Sequence, residues 1–198
     1  MHPQISAVIP SAGNSSRMGS DKALLPAGNG LTFAGHLVNS FVKYGCSPVV
    51  LVVNARVEPK LSPAENTITV VNHSVEKGRS FSIQLGLRQV PYGKACFIQN
   101  IDNLFIESEL LDKLVGSAIS EGYAVPVYHG RAGHPLLMGD RMADYFRNLT
   151  GEFDFRQELQ RFPRVEVPFS DKRIRSNINS PDDYREFLQW NGNSRKML

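Results

Sequence analysis

Residues 5–10, "ISAVIP", are short and apolar, and they give way at once to "SAGNSSRMGSDK" (11–22), where small side chains surround one arginine and one lysine. That order predicts a buried strand ending in a loop whose backbone can approach a ligand closely. Four more apolar runs follow: "PVVLVVN" (48–54), "TITVV" (67–71), "ACFIQNID" (95–102) and "YAVPVYH" (123–129). Between them lie segments with helical spacing. Phe33, Leu37 and Phe41 recur every fourth residue before a stop at Gly45. Ile83, Leu87 and Val90 mark a helix within 80–90, and Leu110, Leu111, Leu114 and Val115 line one face of a helix over 107–120, with Ser108 as candidate N-cap. Such alternation predicts an α/β fold, a mostly parallel sheet with right-handed crossovers and helices on both faces.

After residue 129 the rhythm changes. "GRAGHPLLMG" (130–139) leads to two short amphipathic helices, around 140–149 and 154–162, and to a strand "RVEVPF" (164–169). "NINSPDDYREFLQW" (177–190) then starts a last helix, with Ser180 as cap and Pro181 at its first position. The expected organisation is one domain over 1–190 and a disordered tail over 191–198.

Composition narrows the function classes. With 41% hydrophobic and 21% charged residues, no apolar run of about 18 residues and no charged-then-apolar leader, a soluble, cytoplasmic protein without membrane contact is expected. The net charge of +3 comes from basic residues spread along the chain, which argues against nucleic acid as a partner but leaves room for a local cationic pocket. Cys46 and Cys96 lack metal or redox spacing and sit in apolar surroundings, so buried free thiols are expected.

In open parallel sheets, ligands bind beyond the carboxyl ends of the strands. Gly13–Lys22 follows the first strand, Asn54 ends the second and Asp102 the fourth, so all three are expected at one edge. Glycine and serine would let backbone N–H groups reach phosphate oxygens, with Arg17 and Lys22 supplying charge. Two familiar cradles are excluded by spacing. Met18 stands where a Walker loop needs its second glycine, Lys22 comes three residues after Gly19, and Ser15 replaces the second glycine of a dinucleotide fingerprint. Composition alone leaves a phosphate cradle and a plain surface connection level.

"AGNSSRMGSDKALLP" (12–26) resembles the A-G-x-S-x-R-M-G-x-x-K-x-L-L-P signature of the MobA/MocA-like nucleotidyltransferases, which attach CMP or GMP to molybdopterin. "GRSFSIQLGL" (78–87) is similar to that family's G-x-x-x-S-x-x-x-G-L segment, "GHP" (133–135) to its cytidylyltransferase branch, and "NINSPDDY" (177–184) to its closing segment. The resemblance spans roughly residues 5–187. It implies a Rossmann-like, nucleotide-diphospho-sugar transferase-like fold that transfers NMP from an NTP, with Mg²⁺, to a phosphorylated acceptor and releases pyrophosphate. CTP is favoured over GTP, molybdopterin is the implied acceptor, and a molybdoenzyme or its maturation factor is the implied protein partner.

Residue by residue, the resemblance makes Arg17, Lys22 and Asp102 catalytic. It places Ala12, Gly13, Asn14, Arg17, Lys22 and Ser82 at the nucleotide, His134 and Pro135 at the acceptor, and Asp102 with Asn179 at the metal. Plainer roles compete: Asp102 as a strand terminator, Asn177 and Asn179 as caps of the last helix, His134 as a turn residue with a satisfied ring, Gly78 and Gly86 as helix punctuation, Glu152 and Asp154 as a solvated pair. The chain also departs from the family. Leu104 replaces the proline of D-x-P, Ile101 the preceding glycine, "LTGEFDFR" (149–156) stands for G-D-x-G-x-R, and Pro10–Ser11 stands for L-A. Two other readings therefore stay open: transfer to a sugar phosphate or other small phosphate, and a nucleotide-binding accessory protein without turnover.

Overall fold

A computed structural model of the chain describes residues 5–13, 20–28, 30–62 and 65–193, with side chains as far as Gln189. Asn14 and Arg17 lie outside the described residues. In chain order the strands are β1 (Ser6–Pro10), β2 (Pro26–Gly28), β3 (Leu31–Thr32), β4 (Val49–Val53), β5 (Thr67–Val71), β6 (Cys96–Ile98), β7 (Tyr123–Tyr128), β8 (Arg131–Ala132), β9 (Leu136–Met138) and β10 (Arg164–Pro168). The helices are α1 (Phe33–Tyr44), α2 (Gly78–Leu87), α3 (Ser108–Gly116), α4 (Asp140–Asn148), α5 (Phe155–Leu159) and α6 (Pro181–Asn193).

The main sheet runs in the order β10-β7-β9-β6-β1-β4-β5, with β8 paired to β7. β1 is parallel to both β4 and β6, β4 to β5, and β7 to β10. β1 and β4 are buried at every position, which is why both read as continuous apolar runs instead of alternating ones. Helices cover both faces, as the alternation predicts. Phe33, Leu37 and Phe41 of α1 and the three leucines of α3 form one core layer with Ala7 and Ile9. Val8 joins the other, with Ile83 and Leu87 of α2, Met142 and Phe146 of α4, and Phe155 of α5. Each fully buried phenylalanine or leucine is worth about 2–3 kcal/mol relative to exposure, so the two layers clamp the sheet from both sides.

Gly86 is no mere punctuation. A Cβ there would lie 2.4 Å from Val8 Cγ1, so α2 presses its backbone directly on β1. This close approach fixes the helix relative to the strand that carries the Gly/Ser loop. α6 folds back onto α1, its Tyr184 and Phe187 rings 5.8 and 5.7 Å from Phe33, while Tyr184 donates a hydrogen bond to the Pro26 carbonyl.

Several boundaries differ from the sequence reading. β9 is a strand that the glycine-rich 130–139 segment conceals, and it runs antiparallel between β6 and β7. Its N-terminal end therefore lies beside the carboxyl end of β6, with Leu136 opposite Ile98. Glu107, not Ser108, takes the N-cap position of α3 and makes no side-chain cap bond; the helix stops at Gly116, where turns replace it. β6 ends at Ile98, because the chain turns so that Asn103 N–H bonds the Asn100 carbonyl, and Asp102 sits in that loop instead of closing the strand. The backbone of α6 extends to Asn193, and residues 194–198 lie outside the described residues. Cys46 and Cys96 are buried free thiols, and burial pushes both up, Cys46 to about 12. No helix among the described residues is long and apolar enough to cross a membrane.

Candidate active site

The carboxyl edge of β1, β4 and β6 gathers the polar groups. Beyond β1, Ser11 N–H bonds the Val52 carbonyl and extends the sheet by one residue. Asn54, 4% exposed, then ties the loops together: its Nδ2 donates to the Ala12 carbonyl at 3.3 Å, and its Oδ1 accepts from Arg56 and Val57 N–H at 3.0 and 3.1 Å. The Ala12 carbonyl is thereby fixed at this edge. A Cβ on Gly13 would meet nothing within 4 Å among the described residues.

Lys22 reaches the same edge from a short 3-10 turn (Lys22–Leu24). Its Nζ donates to Asn179 Oδ1 at 2.7 Å and lies 3.8 Å from Asp102 Oδ2. The two charged side chains are only 12% and 20% exposed. At that separation and partial burial their attraction is about 4 kcal/mol before desolvation is subtracted. Asp102 Oδ1 is buried and has no hydrogen-bond partner among the described residues. A carboxylate oxygen left in that state costs free energy unless something occupies it, which sets Asp102 apart from a strand terminator.

Asn179 is held by the start of α6. Asp183 Oδ2 accepts from Asn179 and Ser180 N–H at 2.9 and 2.8 Å, and Ser180 Oγ accepts from Asp183 N–H at 3.2 Å. This reciprocal Ser-x-x-Asp cap satisfies the first donors of the helix, and those backbone bonds hold the Asp183 carboxyl below its ordinary range. Ser180 is the cap, as its sequence position predicts, and Asn179 is left with its side chain toward Lys22.

The segment before α6 straps the edge. Ile178 N–H bonds the Asp102 carbonyl at 2.7 Å, and buried Asn103 donates to the carbonyls of Arg173 and Ser176. His134 N–H bonds the Ile174 carbonyl at 2.8 Å. Gly133 must be glycine for this to happen, because a Cβ would come within 2.5 Å of that same carbonyl oxygen.

His134 stands beside the loop after β6 because β9 reverses direction. Its Nε2 is 2.9 Å from Asn100 Nδ2, and Asn100 Oδ1 accepts two bonds from Arg79, from Nε at 3.0 Å and Nη2 at 2.6 Å. Burial, helped by the Arg79 charge, lowers the His134 pKa to about 4. One ring nitrogen is thus engaged, while Nδ1 is buried without a partner among the described residues. Arg79 also borders an open cavity of about 1190 Å³ between the start of α2 and the loop 149–154. Asp154 there caps α5, accepting from Gln157 N–H at 2.7 Å, so it is not a free member of a solvated pair.

The structure therefore brings Lys22, Asp102 and Asn179 together, ties the Ala12 carbonyl to Asn54 after β4, and places His134 beside Asn100, two residues from Asp102. Ser82 is 4% exposed and its hydroxyl is engaged, accepting from Asn72 Nδ2 at 3.0 Å and donating to the Gly78 carbonyl at 3.4 Å. Through Asn72 it shapes the loop that follows β5. Arg79, Asn100, Asn103 and Asp183 are the contributors that sequence reasoning misses; only Asp183 carried a readable signal, the Ser-x-x-Asp spacing.

The donor set fits a magnesium ion shared with a ligand. Asp102 offers a carboxylate with one unpartnered oxygen and Asn179 a neutral carbonyl oxygen, and Mg²⁺ takes one or two such groups while keeping waters and phosphate oxygens. Among the described residues no cluster of three His, Cys, Asp or Glu side chains forms a self-sufficient metal cage.

Known proteins agree with this architecture. The chain is 25% identical over 183 residues to the molybdenum cofactor cytidylyltransferase of Escherichia coli (strain K12), covering 91% of this chain and 93% of that protein. Rv0371c of Mycobacterium tuberculosis H37Rv superposes with a TM-score of 0.80 at 22% identity over 94% of this chain and 98% of its own. A manganese complex of the same protein gives 0.75 at 19%, with the same coverage. The 2-C-methyl-D-erythritol 4-phosphate cytidylyltransferase of Thermus thermophilus gives 0.65 at 19% identity, over 94% of this chain and 98% of that one. The family model of the MobA-like NTP transferase domain matches residues 7–166, and the chain, with the three-layer, mostly parallel fold and carboxyl-edge site described above, belongs to that family of nucleotidyltransferases.

Proposed function

We propose that this protein transfers CMP from CTP to a phosphorylated acceptor such as molybdopterin and releases pyrophosphate. The observation that carries the reading is the meeting of Lys22, Asp102 and Asn179, with the Lys22 ammonium 2.7 Å from one oxygen and 3.8 Å from the other. Cytidylyl over guanylyl transfer is supported by the "GHP" segment and by the similarity to two cytidylyltransferases.

In the reaction an oxygen of the acceptor phosphate bonds to the α-phosphorus of the nucleotide, and the bond from that phosphorus to the bridging oxygen breaks. The electron pair leaves with pyrophosphate. Lys22 neutralises the triphosphate where that charge grows, and the backbone at Ala12 and Gly13 supplies a rigid surface for it. Arg17, by its place in the signature, adds the second cation. Asp102 and Asn179 would hold Mg²⁺, which when bound screens the phosphate oxygens and orients them. Pro135 lies between His134 and β9, and both residues belong to the acceptor side in this reading.

The altered loop after β6 favours turnover over an accessory role. Leu104, in place of proline, is 5% exposed and packed in the core, so the substitution is absorbed by packing and Asp102 keeps its place beside Lys22. The test is pyrophosphate release from labelled CTP with Mg²⁺ and acceptor. Asp102→Ala is expected to lower kcat by about 10³-fold. Undiminished release by that variant would remove Asp102 from the reaction, and Mg·CTP binding without release from any acceptor would establish the accessory reading.

A further inference from the structure

The chain Arg79–Asn100–His134 determines a protonation state by elimination. A guanidinium can only donate, so the Asn100 atom that faces both Arg79 nitrogens at 3.0 and 2.6 Å must be the carbonyl oxygen. The amide nitrogen is then the atom 2.9 Å from His134 Nε2. An amide NH₂ donates and has no lone pair to offer, so Nε2 must accept and carries no proton. A neutral imidazole with a bare Nε2 bears its single proton on Nδ1. An imidazolium is excluded by the same contact, because it would set N–H against N–H. Burial and the nearby Arg79 charge act in the same direction.

The remaining nitrogen is the informative one. Nδ1 is buried and finds no hydrogen-bond partner among the described residues. We propose that Arg79 and Asn100 are positioning residues that lock His134 as a neutral Nδ1–H donor, and that this donor meets an oxygen atom of the phosphorylated acceptor. The acceptor assignment rests on the function proposed above; the lock does not. The consequence for ligand class is definite. With Nε2 occupied and Nδ1 protonated, His134 offers no lone pair to a metal ion and no charge to an anion, so it selects by the direction of one hydrogen bond.

The test is long-range ¹H–¹⁵N correlation on the full chain labelled at histidine, at pH 7, with His134 assigned through His134→Gln. A protonated Nδ1 and an unprotonated Nε2 are expected. A protonated Nε2, or both nitrogens protonated, would overturn the lock. Asn100→Asp keeps the bonds from Arg79 but replaces the NH₂ donor with a carboxylate oxygen, and is expected to move a proton onto Nε2. Arg79→Met leaves the amide free to turn over, and is expected to give a mixture of both tautomers; either variant retaining the wild-type pattern would refute the proposed relay. Inorganic phosphate added to the wild-type protein is expected to shift the Nδ1 and Hδ1 signals, and no shift at saturation would remove the acceptor role. In the transfer assay Asn100→Asp is expected to raise KM for the acceptor about tenfold with KM for CTP unchanged, whereas equal rises in both would indicate a merely structural residue. A wild-type spectrum showing the lock, together with no pyrophosphate release at all, would sink the transferase reading and leave the tautomer standing.

Discussion

The two ends of the site are built on opposite principles. At the Lys22 end, a cation stands 3.8 Å from a carboxylate, both only slightly exposed, and the attraction is Coulombic. Such an attraction tolerates imperfect distance and acts on any anion that enters. At the His134 end three side chains are joined by bonds of 2.6–3.0 Å in which each atom's role is forced by its neighbour, and the terminal group is neutral. The first end is suited to gripping a polyphosphate whatever its exact pose. The second is suited to discriminating among ligands that bind nearby, because a directional donor left unpaired penalises those lacking a matching oxygen.

The contrast can be broken most directly at Lys22. Lys22→Met is expected to lower kcat by about 10²–10³-fold while the protein still folds, measured by pyrophosphate release and circular dichroism. Lys22→Arg is expected to recover only part of the loss, since a planar fork does not replace a point charge between two oxygens. Full turnover in the methionine variant would mean that the cationic end is a structural ion pair.

A smaller effect tests the neutral end. His134 has a folded pKa of about 4 against an ordinary value of 6.5, so below pH 6.5 the unfolded chain takes up a proton that the folded one refuses. Stability from this group is complete above pH 6.5 and is lost as pH falls toward 4. From pH 7 to pH 5 the loss amounts to about 2 kcal/mol. His36, also lowered by burial, adds in the same direction. Urea denaturation at the two pH values should show the drop, reduced in His134→Gln; an equal drop in wild type and variant would count against a neutral His134.

The smallest expected change sharpens the link between the cap and the cationic end. Asp183→Ala removes the acceptor for two backbone donors, at a cost of about 1 kcal/mol in urea denaturation. Because those bonds fix Asn179, KM for Mg²⁺ should rise a few-fold with KM for the acceptor unchanged. A rise in the acceptor constant instead would join the two ends that the geometry keeps separate.

The cationic end was legible in the chain, and the neutral one was not, for a physical reason. Lys22, Asp102 and Asn179 each sit in a short segment with recognisable neighbours, and the edge rule for parallel sheets predicts that the loops after β1 and β6 meet. Arg79, Asn100 and His134 are joined only by side chains across 21 and 34 residues, and no spacing encodes such bonds. Their meeting also depends on β9, whose three apolar residues after "GRAGHP" are too few to display a period. The cap at Ser180 was readable because it stands directly before a proline at the first helical position. The role of Gly86 was not, since a close approach between helix and strand leaves no trace in local pattern.

The bond between Lys22 and Asn179 joins positions 157 residues apart. On the ribosome, the first loop emerges many seconds before the cap of α6 does, at the usual rate of about 5–20 residues per second. A nascent chain halted before residue 179 would hold the Gly/Ser loop and Asp102 but lack the oxygen that pins the lysine. The cluster of Lys22, Asp102 and Asn179 is thus complete only once the start of α6 has been made, however early the strands before it fold.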